Sequence, residues 1–212
     1  MEKGAEREKS LMKQDYLTAG YFSQRQWNSF CFQSGAVYKL IQEGNILEIG
    51  QGAGIVGGVL RSVGFNVESL DINENLRPTW IGDISSTNFS LDKKYDCVIC
   101  AEVLEHITFD KFNTCLENIQ KLSNKYVIIT LPNCEYHNKF MVQINNHHIG
   151  LKFGKRYAPI AAMHFWELNS NSNCTNNEVR KKISHFFKII EEGEIFNNEY
   201  HYYYILEITS SI

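Results

Sequence analysis

The stretch Asn45-Ile46-Leu47-Glu48-Ile49-Gly50-Gln51-Gly52-Ala53-Gly54 constrains this chain more than any other. A short apolar run carrying one carboxylate breaks into alternating glycines. The run predicts a buried strand, Ile46 to Ile49, and the glycines predict the turn leaving it. Glycine permits positive φ and lets a ligand approach the backbone closely. Ile55 to Arg61 then starts a helix, ending near Val63, whose free N–H groups face the same spot. This is a nucleotide-type binding corner.

An alternation follows that sets the fold class. Asn66 to Leu70 reads as a second strand ending at Asp71, and a short segment, Arg77 to Ile84, contains Gly82-Asp83-Ile84. Tyr95 to Cys100 reads as a further strand, Glu105 to Leu122 as a helix, and Tyr126 to Leu131 as a strand stopped by Pro132. Strands alternating with helices predict an α/β, doubly wound, mostly parallel sheet covered on both faces. Ligands bind such sheets outside the carboxyl ends of the strands. The Glu48–Gly54 corner, Asp71, Asp83 and the Cys100–Glu105 stretch all fall there. The chain closes with strand-like runs Phe187–Phe196 and Tyr202–Ile208 around Asn197-Asn198-Glu199, which suits an antiparallel hairpin. A helix near Asn177 to Phe187 precedes it.

The remaining segments are less regular. Residues 1–42 form a lead-in belonging to the same domain as 43–212. Met1 to Asp15 reads as solvated, and Tyr16 to Gln42 as one or two helices with an aromatic stripe. Asn133 to His164 shows no clear strand or helix, and it is long for a connector, so it reads as a lid-like insertion facing the substrate. Its Lys139, Lys152, Lys155 and Arg156 stand against a lone Glu135 and suggest an anionic acceptor. His147 and His148 lie in the same segment and read as solvated. Cys97 and Cys100 spell C-x-x-C, but on a strand they point to opposite faces, so they read as buried small hydrophobes.

The totals exclude some classes. A net charge of −3 gives no bulk signal for nucleic acid. No apolar run approaches the roughly 20 residues of a membrane span. The charged start lacks the apolar core of a secretion signal, so a cytoplasmic location is expected.

Gly52-Ala53-Gly54-Ile55-Val56-Gly57 also spells the dinucleotide fingerprint G-x-G-x-x-G, with Asp71 placed to hold a ribose. A nicotinamide-dependent oxidoreductase is therefore a competing reading. Against it stand the glycine run starting earlier at Gly50, the acid Glu48 inside the strand, the second acidic corner at Asp83, and the closing hairpin.

Taken together, Glu48 to Gly54, Asp71, Gly82-Asp83-Ile84, Asp96 to His106 and Leu131-Pro132-Asn133 resemble class I S-adenosylmethionine-dependent methyltransferases, over roughly residues 40 to 208. The resemblance implies a Rossmann-like, seven-stranded sheet with its last strand antiparallel. It implies that Gly50, Gly52 and Gly54 face the methionine and ribose of S-adenosylmethionine, with Glu48 in the same motif. Asp71, followed by Ile72, would take the ribose hydroxyls. Asp83 and Ile84 would take the adenine, and the backbone near Cys100 and Ala101 the methionine amino group.

Glu102-Val103-Leu104-Glu105-His106 adds chemistry. On a helix, Glu102, Glu105 and His106 at i, i+3 and i+4 share one face and suit Mg²⁺ or Zn²⁺. The element resembles that of metal-dependent O-methyltransferases of ubiquinone biosynthesis and of small-RNA 3′ ends, where a later histidine, here His164, adds a ligand. His106 with Glu105 as a general base without metal, and a purely structural role, stay open. The expected function is O-methylation of a small, medium or glycan-linked acceptor. A cofactor-binding module without catalysis is the other class.

Overall fold

The computed structural model describes residues 4–145 and 147–209. Strand β1 (Asn45–Ile49) is almost wholly buried, and apart from Glu48 its buried residues, Ile46, Leu47 and Ile49, are apolar on both faces. It pairs in parallel with β2 (Asn66–Asp71) and β4 (Tyr95–Ala101). β2 pairs with the short β3 (Trp80–Ile81), and β4 with β5 (Ser123–Pro132), again in parallel. Beyond β5, the last strand β9 (Asn198–Ile208) runs antiparallel and inserts between β5 and β8 (Phe187–Ile195). The order is β3-β2-β1-β4-β5-β9-β8, a seven-stranded doubly wound sheet with the predicted antiparallel final strand.

Helices cover both faces. On one lie α3 (Gln24–Leu40) and α4 (Ile55–Ser62), packed through Phe30, Val37, Val56 and Leu60 onto Ile46, Cys97 and Ile99. Ser23 caps α3 by accepting the N–H of Gln26 at 3.2 Å. On the other lie α5 (Phe112–Leu122) and α6 (Asn176–Ile183), with Leu116, Ile119 and Val179 against Leu47, Val98 and Cys100. Cys97 and Cys100 thus belong to different cores, as alternation along β4 requires, and both are free.

Three expectations change. The 133–164 insertion is not irregular: β6 (Glu135–Ile144) and β7 (His147–Tyr157) form a long antiparallel hairpin, a separate two-stranded sheet. Phe140 opposite Leu151 and Val142 opposite Ile149 set its register. The charged start is not simply solvated: α1 (Ala5–Ser10) and α2 (Lys13–Tyr16) lie across the carboxyl end of the sheet. The helix expected from Glu105 begins only at Phe112, after two 3₁₀ turns, Leu104–His106 and Phe109–Lys111. No helix among the described residues is long and apolar enough to cross a membrane.

Candidate methyl-transfer site

The glycine corner forms as the sequence predicts. Gly50, Gly52 and Gly54 have φ of 73°, 50° and 77°, a region that side chains disfavour. Gly50 must also be bare, because a Cβ there would meet Val103 Cγ2 at 2.2 Å. The turn delivers the chain into α4 with left-handed Gly54 as its N-cap.

A cavity of about 330 Å³ opens at this corner. Its wall includes Ile49, Gly50 and Gly52 from the corner, Asp71 and Ile72 from the end of β2, Asp83 and Ile84 from beyond β3, and Glu102 and His106 from beyond β4. Asp71 accepts the backbone N–H of Asn73 at 2.9 Å and those of Gln51 and Gly52. It therefore ties β2 to the glycine turn. Burial raises its pKa, and these N–H groups oppose the rise. Asp83 accepts the Ser85 N–H at 2.8 Å, fixing the second acidic corner.

Four residues expected around the cofactor are not on the cavity wall. Glu48 points under the turn, toward Gly57 and Arg61. A Cβ on Gly57 would lie 2.4 Å from Glu48 Oε2, so the last glycine of G-x-G-x-x-G makes room for a carboxylate. Burial pushes Glu48 up to about 7, against the pull of Arg61 and the Gly57 N–H. Gly54 is spent on the helix cap. The Cys100 side chain is fully buried in the core, and Ala101 packs among the partly buried residues of the opposite face.

Glu102 does not share a helix face with Glu105 and His106. Its φ of 55° turns the chain left-handed, a strain of roughly 1–3 kcal/mol for a non-glycine residue. The 3₁₀ turn that follows sends Glu105 and His106 another way. Glu102 instead meets His201, Oε2 to Nε2 at 3.2 Å, and Thr130. His201 continues through Ser29 at 2.9 Å to Asn198 at 2.7 Å.

Glu105, His106 and His164 do converge. One ligand atom from each lies within 4.8 Å of the others, and the two imidazoles meet edge to face at 4.8 Å. The segment carrying His164 is pinned to the 3₁₀ turn: the Phe165 N–H donates to the Glu105 carbonyl at 2.9 Å, and the Trp166 indole donates to the carbonyls of Leu104 and Ile107. Both carboxylate oxygens of Glu105 and Nδ1 of His106 are buried without a hydrogen-bond partner. Burial, and then the nearby Glu102, push Glu105 well above the usual carboxylate range. Burial and the neighbouring His164 pull His106 down to about 3, so its ring is neutral. A hydrogen bond to the backbone of Met163 opposes this fall.

Glu167 was not visible as a site residue in the sequence. It is fully buried; its Oε1 binds His164 Nδ1 at 2.8 Å and accepts from Tyr200 and the Ala161 N–H, while Oε2 accepts the Cys134 thiol. A carboxylate behind a histidine is what orients a metal ligand. Glu8 and Tyr16, from the start of the chain, also line the cavity. The side chains of His147 and His148 fall outside the described residues.

The expected basic patch is largely neutralised. Lys139 pairs with Glu199, Lys152 with Glu194, and Lys155 with Glu135. Among the described residues, none of the hairpin lies on the wall of the glycine-corner cavity.

Comparison with known proteins agrees with this geometry. The sequence profile of the family described as "Methyltransferase domain" matches residues 24–167. Ubiquinone biosynthesis O-methyltransferase of Rickettsia bellii (strain OSU 85-389) is 32% identical over 82 residues, 33% of this chain and 34% of that protein. The Rickettsia typhi protein of the same name is 32% identical over 108 residues, 45% and 40% of the two chains. These alignments therefore span well under half the length of the curated relatives. Among solved structures, the PH0226 protein of Pyrococcus horikoshii superposes with a TM-score of 0.63 at 14% identity, covering 94% of this chain and 100% of that one. An S-adenosylmethionine-dependent methyltransferase from Clostridium acetobutylicum superposes with 0.57 at 13% identity, covering 92% and 96%. The N-methyltransferase NodS of Bradyrhizobium japonicum, in complex with S-adenosylhomocysteine, gives 0.58 at 13% identity, covering 97% of each. Neither the profile nor these structures lend support to the oxidoreductase reading. The chain belongs to the methyltransferase domain family and has the fold of class I S-adenosylmethionine-dependent methyltransferases.

Proposed function

We propose that this chain transfers the methyl group of S-adenosylmethionine to a hydroxyl of a small acceptor, with a divalent cation, Mg²⁺ or Zn²⁺, held by Glu105, His106 and His164. The observation that carries this reading is the cluster of buried acceptor atoms with no donor, placed behind His106 at the end of the cavity. Acceptor-only groups in a buried site call for a cation or a donated proton. The residues fit an ion: two imidazoles and a carboxylate, with Glu167 orienting one imidazole. Such an ion would lower the pKa of a hydroxyl bound beside it.

In this reading the cofactor occupies the cavity, which Gly50, Gly52, Asp71, Asp83 and Ile84 line. Asp71 would take the ribose, Asp83 and Ile84 the adenine, and the Gly50–Gly52 turn would lie along the methionine, as the resemblance implies. The sulfonium is already an activated leaving group, so the protein's part is alignment and removal of the hydroxyl proton. Neutral His106, on the cavity wall, is placed to accept that proton if no cation is held, which is the second reading.

Oxygen is favoured as the target because the relatives above 30% identity are named O-methyltransferases. An anionic acceptor loses its support, since three of the four basic residues that suggested it are paired. The test is methyl transfer from radiolabelled S-adenosylmethionine to a panel of hydroxylated and amine acceptors, with and without exhaustive chelation. Transfer to hydroxyls that chelation abolishes is expected. Transfer untouched by chelation removes the cation and leaves the His106 reading. Binding of cofactor with no transfer to any acceptor leaves a non-catalytic module.

A further inference from the structure

The hairpin of β6 and β7 has two unlike faces. Directly paired residues on antiparallel strands share a face, and so do residues two apart. Lys139 opposite Lys152 and Met141 opposite Gly150 form the inner face. It leans on the closing strands, where Lys139 pairs with Glu199 of β9 and Lys152 with Glu194 of β8. Phe140 opposite Leu151, Val142 opposite Ile149, and Phe153 opposite Asn138 form the outer face. There Phe140, Ile149, Leu151 and Phe153 are 57–69% exposed and Val142 is 41% exposed. Two strands alone hold together poorly in water, and an apolar face this bare calls for a cover.

Charge decides between covers. The spans 138–142 and 149–153 carry one charged residue each, Lys139 and Lys152, both on the inner face and both in ion pairs. The outer face is therefore neutral. An anionic lipid surface is held by free cations around an apolar patch, and the chain as a whole carries −3. The sequence joining the strands, Asn145-Asn146, is polar, so the apolar groups lie along the flat side of the hairpin and not at a tip that could enter a bilayer. A charged protein partner would find nothing on this face to select it. A neutral, flat, apolar face is complementary to itself, and a two-fold axis lets one such face cover another as stacked sheets do. The five apolar residues expose roughly 500 Å² per copy, so two copies bury about 1,000 Å², the lower limit of a specific interface.

We propose that the outer face of the β6–β7 hairpin is a homodimer interface: a second copy of this chain stacks its own hairpin face on it about a two-fold axis, with Phe140, Val142, Ile149, Leu151 and Phe153 in the contact. An interface of this size sets a dissociation constant on the order of micromolar, so the dimer forms and separates with concentration. No described hairpin residue lines the glycine-corner cavity, so pairing and cofactor binding are separate properties, and the proposal stands without the methyl-transfer reading above.

Sedimentation velocity of the full chain, over concentrations from about 1 to about 200 µM, tests it. A shift from monomer to dimer across this range is expected. Leu151→Glu places like charges in a neutral apolar contact and is expected to weaken pairing by about tenfold or more. Val63→Glu makes the same change at an exposed apolar residue at the end of α4, outside the hairpin, and is expected to leave pairing unchanged. Circular dichroism melting verifies that both variants fold. A monomer at every concentration, or pairing that survives Leu151→Glu, overturns the proposal. So does a chain that stays monomeric in solution but floats with vesicles of phosphatidylcholine and phosphatidylglycerol, with flotation lost in Leu151→Glu; that result gives the face to lipid.

Discussion

The glycine corner and the acid–histidine cluster lie at the same edge of the sheet, yet they are built in opposite ways. The corner is local: β1, its turn and the first turn of α4 are continuous in sequence, and Asp71 joins them through backbone N–H groups. Its polar atoms are largely satisfied by the chain itself. The cluster draws on two distant segments, Glu105-His106 and His164, with Glu167 behind and Glu8 in front, and it buries three acceptor atoms that have no hydrogen-bond partner among the described residues. The difference teaches where to look for each part of the function. A cofactor shared across a fold can be held by a local motif, whereas the chemistry of one acceptor is assembled from segments that vary independently.

Substitutions in the two regions should therefore separate chemistry from binding. The largest expected effect is on turnover. Glu105→Ala/His106→Ala should lower methyl transfer by about a thousandfold or more while S-adenosylhomocysteine affinity changes by less than about threefold, as for groups that act in the transition state. Single-turnover kinetics beside calorimetry measure both, and parallel losses would break the distinction. Asp71→Ala should do the reverse, weakening S-adenosylhomocysteine by about fiftyfold through the loss of charged hydrogen bonds and of the tied glycine turn.

Next comes Glu48, under the corner. In the unfolded chain it ionises near the ordinary glutamate value of 4.5 and burial pushes it up to about 7 in the fold, so the folded state holds its proton longer. Stability from this group is present below pH 4.5 and is lost as pH rises to 7. Glu48→Gln removes that loss. It should stabilise the protein by about 2 kcal/mol at pH 8 and by much less at pH 4.5, read from melting at the two values. An equal effect at both would mean that the carboxylate is ionised beneath the turn. The smallest effect belongs to the hairpin. Replacing residues 138–154 with a tight turn should change S-adenosylhomocysteine affinity by less than about threefold, because no described hairpin residue lines the cavity and its exposed ion pairs contribute little.

The same contrast explains what could be read without coordinates. The sheet, its final antiparallel strand and the cavity-lining Gly50, Gly52, Asp71 and Asp83 were legible because each rests on local periodicity or on a turn that only glycine makes. Gly57 looked like part of a dinucleotide fingerprint; only the fold shows that it yields space to Glu48. The spacing of Glu102, Glu105 and His106 puts them on one face only if the element is helical, and the positive φ at Glu102 breaks that register, which no composition rule signals. His164 was picked out, whereas Glu167, three residues later, was not. The hairpin was legible in principle: Phe140, Val142, Ile149, Leu151 and Phe153 alternate with polar residues at period two, a signal diluted by its lysines and glycines. Glu8 had no local signal, since its place on the cavity wall depends on Asn73, which donates to its carbonyl from far along the chain.

The central claim is that the cluster of unsatisfied acceptors is a cation site adjoining the cofactor cavity. Titration of Mn²⁺ into the intact protein saturated with S-adenosylhomocysteine, followed by electron paramagnetic resonance of the free ion, tests it most directly. One saturable site, lost in Glu105→Ala and in His164→Ala but kept in Glu48→Gln, is the predicted result. No saturable binding, or a site that survives both cluster substitutions, would contradict it.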